Sequence, residues 1–309
     1  VTLPPDGRFA PSPSGPLHLG NLRTALLAWL FARGAEARFL VRIEDLDPER
    51  SRREHEAGQL ADLRALGLDW DGPVVRQSER RALHREALET LRASGRVYPC
   101  WCTRAEIREA VSAEHGPAPE GAYPGTCRRL SAAQRQARER SGRPAALRLD
   151  ARGERVGFVD RLRGPVGAVV DDLVLWRNDD TPAYNLAVVV DDADQGVREV
   201  VRGDDLLETT PRQLLLGRLL ALPAPAYAHV PLVLGPDGQR LAKRHGAVTL
   251  ADRAALGEGP ADALAWMAES LGLAAPGEAV GTGLLLARFD PAALPLEATT
   301  VNRWHRLNH

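Results

Sequence analysis

The stretch PSPSGPLHLGN places His18 and Gly20 where a Pro/Ser/Gly loop opens into a helix. A helix N-terminus carries free N–H groups and the positive end of the dipole, so it suits a nucleotide phosphate. A histidine there can donate a hydrogen bond to a phosphoryl oxygen as charge builds in a transition state. Taken alone, the pattern fits a capping loop with an incidental histidine equally well. The segment GPDGQRLAKRHGA holds the second candidate, Lys243, the single lysine among 40 Lys and Arg residues. An arginine-heavy composition must put a stray lysine somewhere. Yet a compact ammonium on a flexible stem is also a mobile point charge for phosphate oxygens, which a planar guanidinium is not.

A third group is Cys100, Cys102 and Cys127, the chain's only cysteines. An odd number with a C-x-C pair does not read as a secreted disulfide framework. Three thiolates with a fourth N or O ligand suit a closed tetrahedral zinc, and the Pro/Gly-rich loop between the two halves can bring them together. His115 is the chemically ordinary fourth ligand. Three reduced, buried thiols are the alternative.

These residues need a scaffold. The chain has 309 residues, 44% hydrophobic and 26% charged, enough for two or three domains with a sizeable core. A formal charge of -1 gives no global basic field, so binding to nucleic acid requires a local patch of arginines. No apolar run reaches the roughly 18 residues of a membrane helix, and prolines and glycines occupy the first twenty positions where a signal peptide would be apolar. A cytoplasmic protein with no membrane contact is expected.

The N-terminal DGRF predicts a short strand, followed by a helix with Leu19, Leu22, Leu26, Trp29 and Leu30 at helical spacing and Gly34 as C-cap. ARFLVRIED alternates as a second strand running into acids. Together they predict an α/β fold, a Rossmann-type doubly wound parallel sheet. Amphipathic helices are expected at about 49–66 and 78–94. The texture then changes, so the domains read as 1–95, first half of the α/β domain; 96–185, an inserted α+β module carrying the cysteines; 186–252, second half; and 253–309, a short helical C-terminal region. In YNLAVVVDD, Val188 to Val190 read as a third buried strand with Tyr184 at its start.

The motifs carry a resemblance. HLGN and RLAKR, in this order and in a strand-to-helix context, resemble the HIGH and KMSKS signatures of class I aminoacyl-tRNA synthetases. RFAPSPSG, VRIEDLDPERS, PAYNLAVVVDDADQGVREVVRGDDLLETTPRQ and AHVPLVLGPDGQRLAKRHGAV are similar to the glutamyl branch of that class, over roughly residues 7–253. Three positions depart from the signatures: Asn21 in place of the second histidine, Arg240 in place of the first lysine, and Ala242 in place of a serine.

The resemblance implies activation of L-glutamate by ATP with Mg²⁺. It places His18, Gly20, Asn21 and Lys243 on ATP, with His18 and Lys243 catalytic. It places Arg8, Ala10, Ser12, Glu44, Tyr184 and Arg202 around glutamate. That set suits a substrate with two carboxylates and one ammonium, which calls for arginine forks and an acid. It also implies that Tyr123 completes a structural Zn²⁺ site with Cys100, Cys102 and Cys127. Only 56 residues follow residue 253. That is short for a helical anticodon-binding body and resembles the truncated paralogues that attach glutamate to queuosine in tRNA(Asp). A monomer is expected. The alternatives are a small enzyme charging the 3′ end of tRNA(Glu) and a catalytically silent RNA-binding module.

Overall fold

The computed structural model describes residues 4–107, 123–246 and 248–301, apart from the side chain of Lys243. His115 lies outside the described residues. The central sheet has five parallel strands: β1 (Gly7–Phe9), β2 (Phe39–Ile43), β3 (Val75–Arg76), β9 (Glu199–Gly203) and β10 (Ala226–Val230). Their spatial order is β10-β9-β1-β2-β3. The chain therefore builds outward from β1 in one direction, and then returns to build outward from β9 in the other. β1 and β9 are neighbours, and the crevice at their C-terminal ends is the switch point where open α/β sheets bind ligands.

Burial explains the strand composition. All five residues of β2 and all five of β9 are buried, as expected of parallel strands covered on both faces. Helix α1 (Leu19–Gly34) is buried along nearly its whole length, because it lies between the sheet and later helices. Its Leu22, Leu26 and Leu30 share one core with Val41 and Ile43 of the sheet and with Leu264, Met267 and Leu285 near the C-terminus. Gly34, the expected cap, is instead the last helical residue; Ala35 is the C-cap, and Glu36 turns the chain at φ 54°.

Helices α2 (Arg53–Ala65) and α3 (Arg81–Ala93) fall within the ranges expected from periodicity. The expected third strand is a helix instead, α5 (Tyr184–Asp194), and the buried strand begins only at Glu199. A short run such as Val188 to Val190 fits either element, because periodicity cannot separate a buried strand from a buried helix. Burial of Leu186, Ala187, Val190 and Asp191 follows the helical repeat.

Within 96–185, β4 (Val97–Cys100), β5 (Ala146–Leu149) and β8 (Val174–Trp176) form an antiparallel sheet. β6 (Arg155–Asp160) and β7 (Gly164–Val169) form a hairpin, and α4 (Ala132–Arg140) opens with a Ser131 capping box. Leu149 and Leu175 of this region share a core with Leu88 and Leu91 of α3 and with Leu186 of α5. Beyond α6 (Thr210–Leu219), β11 (Val233–Leu234) pairs with β12 (Thr299–Thr300). Helices α7 (Leu250–Ala254), α8 (Pro260–Ser270) and α9 (Thr282–Arg288) lie between those two strands. No helix among the described residues is long and apolar enough to cross a membrane.

Candidate active site

His18 is the N-cap of α1. Its Nδ1 accepts a hydrogen bond from the Asn21 backbone N–H at 3.2 Å, while Asn21 Oδ1 accepts from the His18 N–H at 3.2 Å. The reciprocal pair is a capping box, so the departure at Asn21 has a structural use here. An accepting Nδ1 carries no proton, and the neutral ring therefore holds its hydrogen on Nε2. Burial, with the charge of Arg240 nearby, brings the His18 pKa from 6.5 down to about 4. His18 is thus a neutral N–H donor at the positive end of a helix. Gly20 leaves room for it: a Cβ there would stand 3.0 Å from His18 Nδ1 and 3.3 Å from Val233.

Because the folded pKa of His18 is depressed, the folded state favours the neutral ring. Its contribution to stability is complete above the unfolded value and is lost as pH falls from about 6.5 to about 4. In an NMR titration the His18 ring signals of the ligand-free protein are expected to stay flat from pH 8 down to about 5. A midpoint above 6 would contradict the buried, Nδ1-accepting geometry.

The two signature-like segments meet in space. Leu19 N–H donates to Val248 O at 2.8 Å, and His18 forms a β-bridge with Thr249. The loop bearing Lys243, whose backbone lies in the 3-10 turn Lys243–His245, thereby returns to the mouth of α1. His245 pins this loop: its Nδ1 accepts from Ala242 N–H at 3.0 Å, and its Nε2 lies 3.1 Å from Asp237. The ring packs on Gly235, where a Cβ would come within 2.5 Å of it. Arg240 pairs with Asp205 at 2.6 Å.

Arg8, on β1, and Arg202, on β9, flank the switch point, with Glu44 directly after β2 and Tyr184 opening α5. A charged network joins β1, β2 and α5. Arg8 donates to both carboxylate oxygens of Asp192, at 3.2 and 3.3 Å, and Arg42 donates to Asp192 at 2.6 Å, Gln195 at 2.9 Å and Glu44 at 3.3 Å. Burial would raise Asp192, but Arg42 and Arg8 outweigh it and hold its carboxyl below the usual range. At Glu44 burial wins over the same arginines, and its pKa is raised. Desolvation of its hydroxyl raises Tyr184, which is 38% exposed as a whole residue and feels the charges of Glu44, Arg202, Arg8 and Asp192.

The loop holding Ala10 and Ser12 is tied down by α2, whose buried Gln59 donates to Ser12 O at 3.0 Å and Gly15 O at 2.7 Å. Arg202 is gripped by His229 at 3.1 Å and Thr210 at 2.8 Å, while its Nη1 is buried without a partner. That nitrogen is a donor left open to a ligand or a water molecule. Sequence reasoning missed Arg42, Gln59, Asp192 and His229. Arg42 and Asp192 sit inside matched motif blocks, but nothing in one sequence separates a buried arginine from the 38 others.

The three thiols also converge: the Sγ atoms of Cys100, Cys102 and Cys127 all lie within 4.8 Å of one another. Tyr123 Oη is 3.4 Å from Cys100 Sγ and 3.6 Å from Cys102 Sγ, and it accepts from Cys127 N–H at 2.8 Å. Tetrahedral ligands at ordinary zinc bond lengths stand roughly 3.8 Å apart for two sulfurs and roughly 3.5 Å for sulfur and oxygen. The donor set suits such an ion in chemistry, and the Cys102 and Cys127 Sγ atoms, 3.4 Å apart, stand near that spacing.

A parallel α/β sheet with Arg8 and Arg202 at its switch point and a neutral histidine at a helix N-terminus has the layout of a ligand-binding α/β domain. The chain belongs to the class I tRNA synthetase family (E and Q), whose catalytic-domain model matches residues 6–271. It is 62% identical to the glutamyl-Q tRNA(Asp) synthetase of Nocardia farcinica, over 94% of this chain and 91% of that one. It is 52% identical to the protein of the same name from Symbiobacterium thermophilum, over 96% and 95%. The crystal structure of a glutamate tRNA ligase from Elizabethkingia meningosepticum, in complex with its amino acid, superposes with a TM-score of 0.82 at 27% identity. That match covers 96% of this chain and 67% of the other.

Proposed function

We propose that this protein activates L-glutamate with ATP and transfers the glutamyl group to queuosine in the anticodon loop of tRNA(Asp). The observation that carries the reading is the 62% identity, along nearly the whole of both chains, to a glutamyl-Q tRNA(Asp) synthetase. In the first step a glutamate carboxylate oxygen attacks the α-phosphorus of ATP and pyrophosphate leaves. In the second, a hydroxyl of the modified nucleoside attacks the glutamyl-adenylate and AMP leaves. Mg²⁺, bound with ATP, would supply charge neutralisation on the phosphates.

The chain's own residues divide the work. His18 Nε2–H and the N–H groups of α1 face the reacting phosphate, and Lys243 takes the phosphate oxygens as a point charge. Gly20 and Asn21 shape that cradle. Arg202 takes a glutamate carboxylate on its free Nη1. Arg8, Tyr184 and the loop of Ala10 and Ser12 complete the pocket, with Glu44 on the amine. Holding both reactants against one rigid sheet end lowers the entropic barrier of a two-substrate step.

The test is transfer of labelled glutamate, with ATP, to tRNA(Asp) from cells that make queuosine and from cells that do not. Labelling of the queuosine-containing tRNA alone is expected. Labelling of tRNA(Glu) instead would make the protein an ordinary glutamate-charging enzyme.

Cys100, Cys102, Tyr123 and Cys127 would hold one structural Zn²⁺, which closes the cysteine segment where little apolar core is available. Protein purified without added zinc is expected to carry about one equivalent, and chelation to lower its thermal midpoint. Less than about a tenth of an equivalent, with no chelator effect, would leave three buried thiols with no metal role.

A further inference from the structure

We propose that Asp160 and His229 form a positioning relay that orients Arg202 for the amino-acid carboxylate. The proposal rests on reading Arg202 as a substrate-carboxylate partner. His229, on β10, is fully buried, and Asp160, at the end of β6, is 2% exposed. Asp160 Oδ2 lies 2.6 Å from His229 Nδ1. Its carboxylate also accepts from the backbone N–H groups of His229, Leu162 and Arg163, at 3.2, 3.0 and 2.9 Å.

This carboxylate dictates the tautomer. Facing an ionised acceptor, His229 carries its proton on Nδ1, so Nε2 presents a lone pair. Arg202 Nε donates to that lone pair at 3.1 Å, and Arg202 Nη2 donates to Thr210 Oγ1 at 2.8 Å. The guanidinium also lies over Tyr227, 5.2 Å from the ring centroid, and Tyr227 stacks on His229 at 5.9 Å and 11°. The head group is therefore held along one edge and one face, and the nitrogen left without a partner is Nη1.

Thr210 Oγ1 also lies 3.2 Å from His229 Nε2 and can serve either tautomer, but with the proton on Nε2 two N–H donors would face each other across 3.1 Å and Arg202 Nε would lose its acceptor. Burial lowers the His229 pKa against the pull of Asp160, consistent with a neutral ring. The fixed tautomer is what converts a flexible arginine into a preorganised half of a carboxylate fork. Asp160 belongs to the β6–β7 hairpin and Arg202 to the central sheet, so the segment inserted between the two halves of that sheet contributes to amino-acid binding without reaching the substrate.

The full-length Asp160→Asn variant tests this by ATP–pyrophosphate exchange. An asparagine amide can donate to Nδ1 and drive the proton to Nε2. The glutamate KM is expected to rise by about 10- to 100-fold, the size of effect seen when the outer partner of a metal-binding side chain is lost, while the ATP KM and kcat change by less than about threefold. His229→Gln, which keeps an acceptor for Arg202, is expected to bind glutamate more tightly than His229→Leu. In long-range 1H–15N spectra the wild-type His229 should show the Nδ1–H tautomer, with the signal assigned by its loss in His229→Gln.

An unchanged glutamate KM in Asp160→Asn, or an Nε2–H tautomer in the wild type, overturns the relay. A uniform fall in kcat and both affinities would mean that Asp160 and His229 are only structural. Should Asp160→Asn not fold, the Gln and Leu variants at His229 decide, equal glutamate KM values refuting the relay. A wild-type protein with no glutamate-dependent exchange would instead overturn the functional reading, and the tautomer would then decide the relay alone.

Discussion

Replacing His18 with asparagine is expected to lower kcat for ATP–pyrophosphate exchange by about 10²–10³, the usual cost of removing one preorganised donor from a developing oxyanion. Asparagine is among the best N-cap residues, so the hydrogen bond to the Asn21 N–H can be kept while the Nε2–H is lost. Stability should therefore change by less than about 1 kcal/mol. His18→Ala removes both functions and should lose a comparable amount of exchange together with about 1 kcal/mol of stability from the missing cap. Lys243→Ala should also lose exchange while folding normally. If His18→Asn exchanged pyrophosphate at the wild-type rate, the helix N-terminus would hold no reacting phosphate.

The largest stability effect is expected at Asp192. Its carboxylate pairs with Arg8 and Arg42, whose side chains are 5% and 0% exposed. Asp192→Ala leaves two buried guanidinium groups with Glu44 as the remaining carboxylate on Arg42, and breaking such a pair costs about 3–5 kcal/mol. Urea denaturation at neutral pH measures the loss directly. Since the Asp192 pKa is depressed in the fold, its contribution is present above the ordinary carboxylate value and disappears as pH falls through the folded one. The variant and the wild type should therefore converge in strong acid. A loss under about 1 kcal/mol would mean that both arginines reach solvent when released.

Much of the fold was legible because the signals were local. Strand β2 alternates and ends in acids, α1 follows a Pro/Ser/Gly loop, and α2 and α3 carry helical apolar spacing. The stretch from Tyr184 was misread because its apolar run is short and continuous, and only packing distinguishes a buried helix from a buried strand. At the site, motif order and residue type pointed to His18, Gly20, Lys243, Arg8, Glu44, Tyr184 and Arg202. Asn21 stood out as a departure from a signature, and the structure gives it a use as half of a capping box.

The supporting residues were not legible for a physical reason. Gln59, Asp160, Asp192 and His229 act through contacts 27 to 184 residues apart in sequence. Nothing local marks a buried aspartate as the partner of a distant arginine. The sequence by itself determined the chemistry on offer: a histidine at a helix start, one lysine, paired arginines and acids, and three thiols. Tertiary structure alone decided which nitrogen of His18 keeps its proton, which nitrogen of Arg202 stays free, and whether the thiols meet. Protonation states and hydrogen-bond vacancies are set by burial and by neighbours brought together across the sheet, and these exist only once the chain has folded.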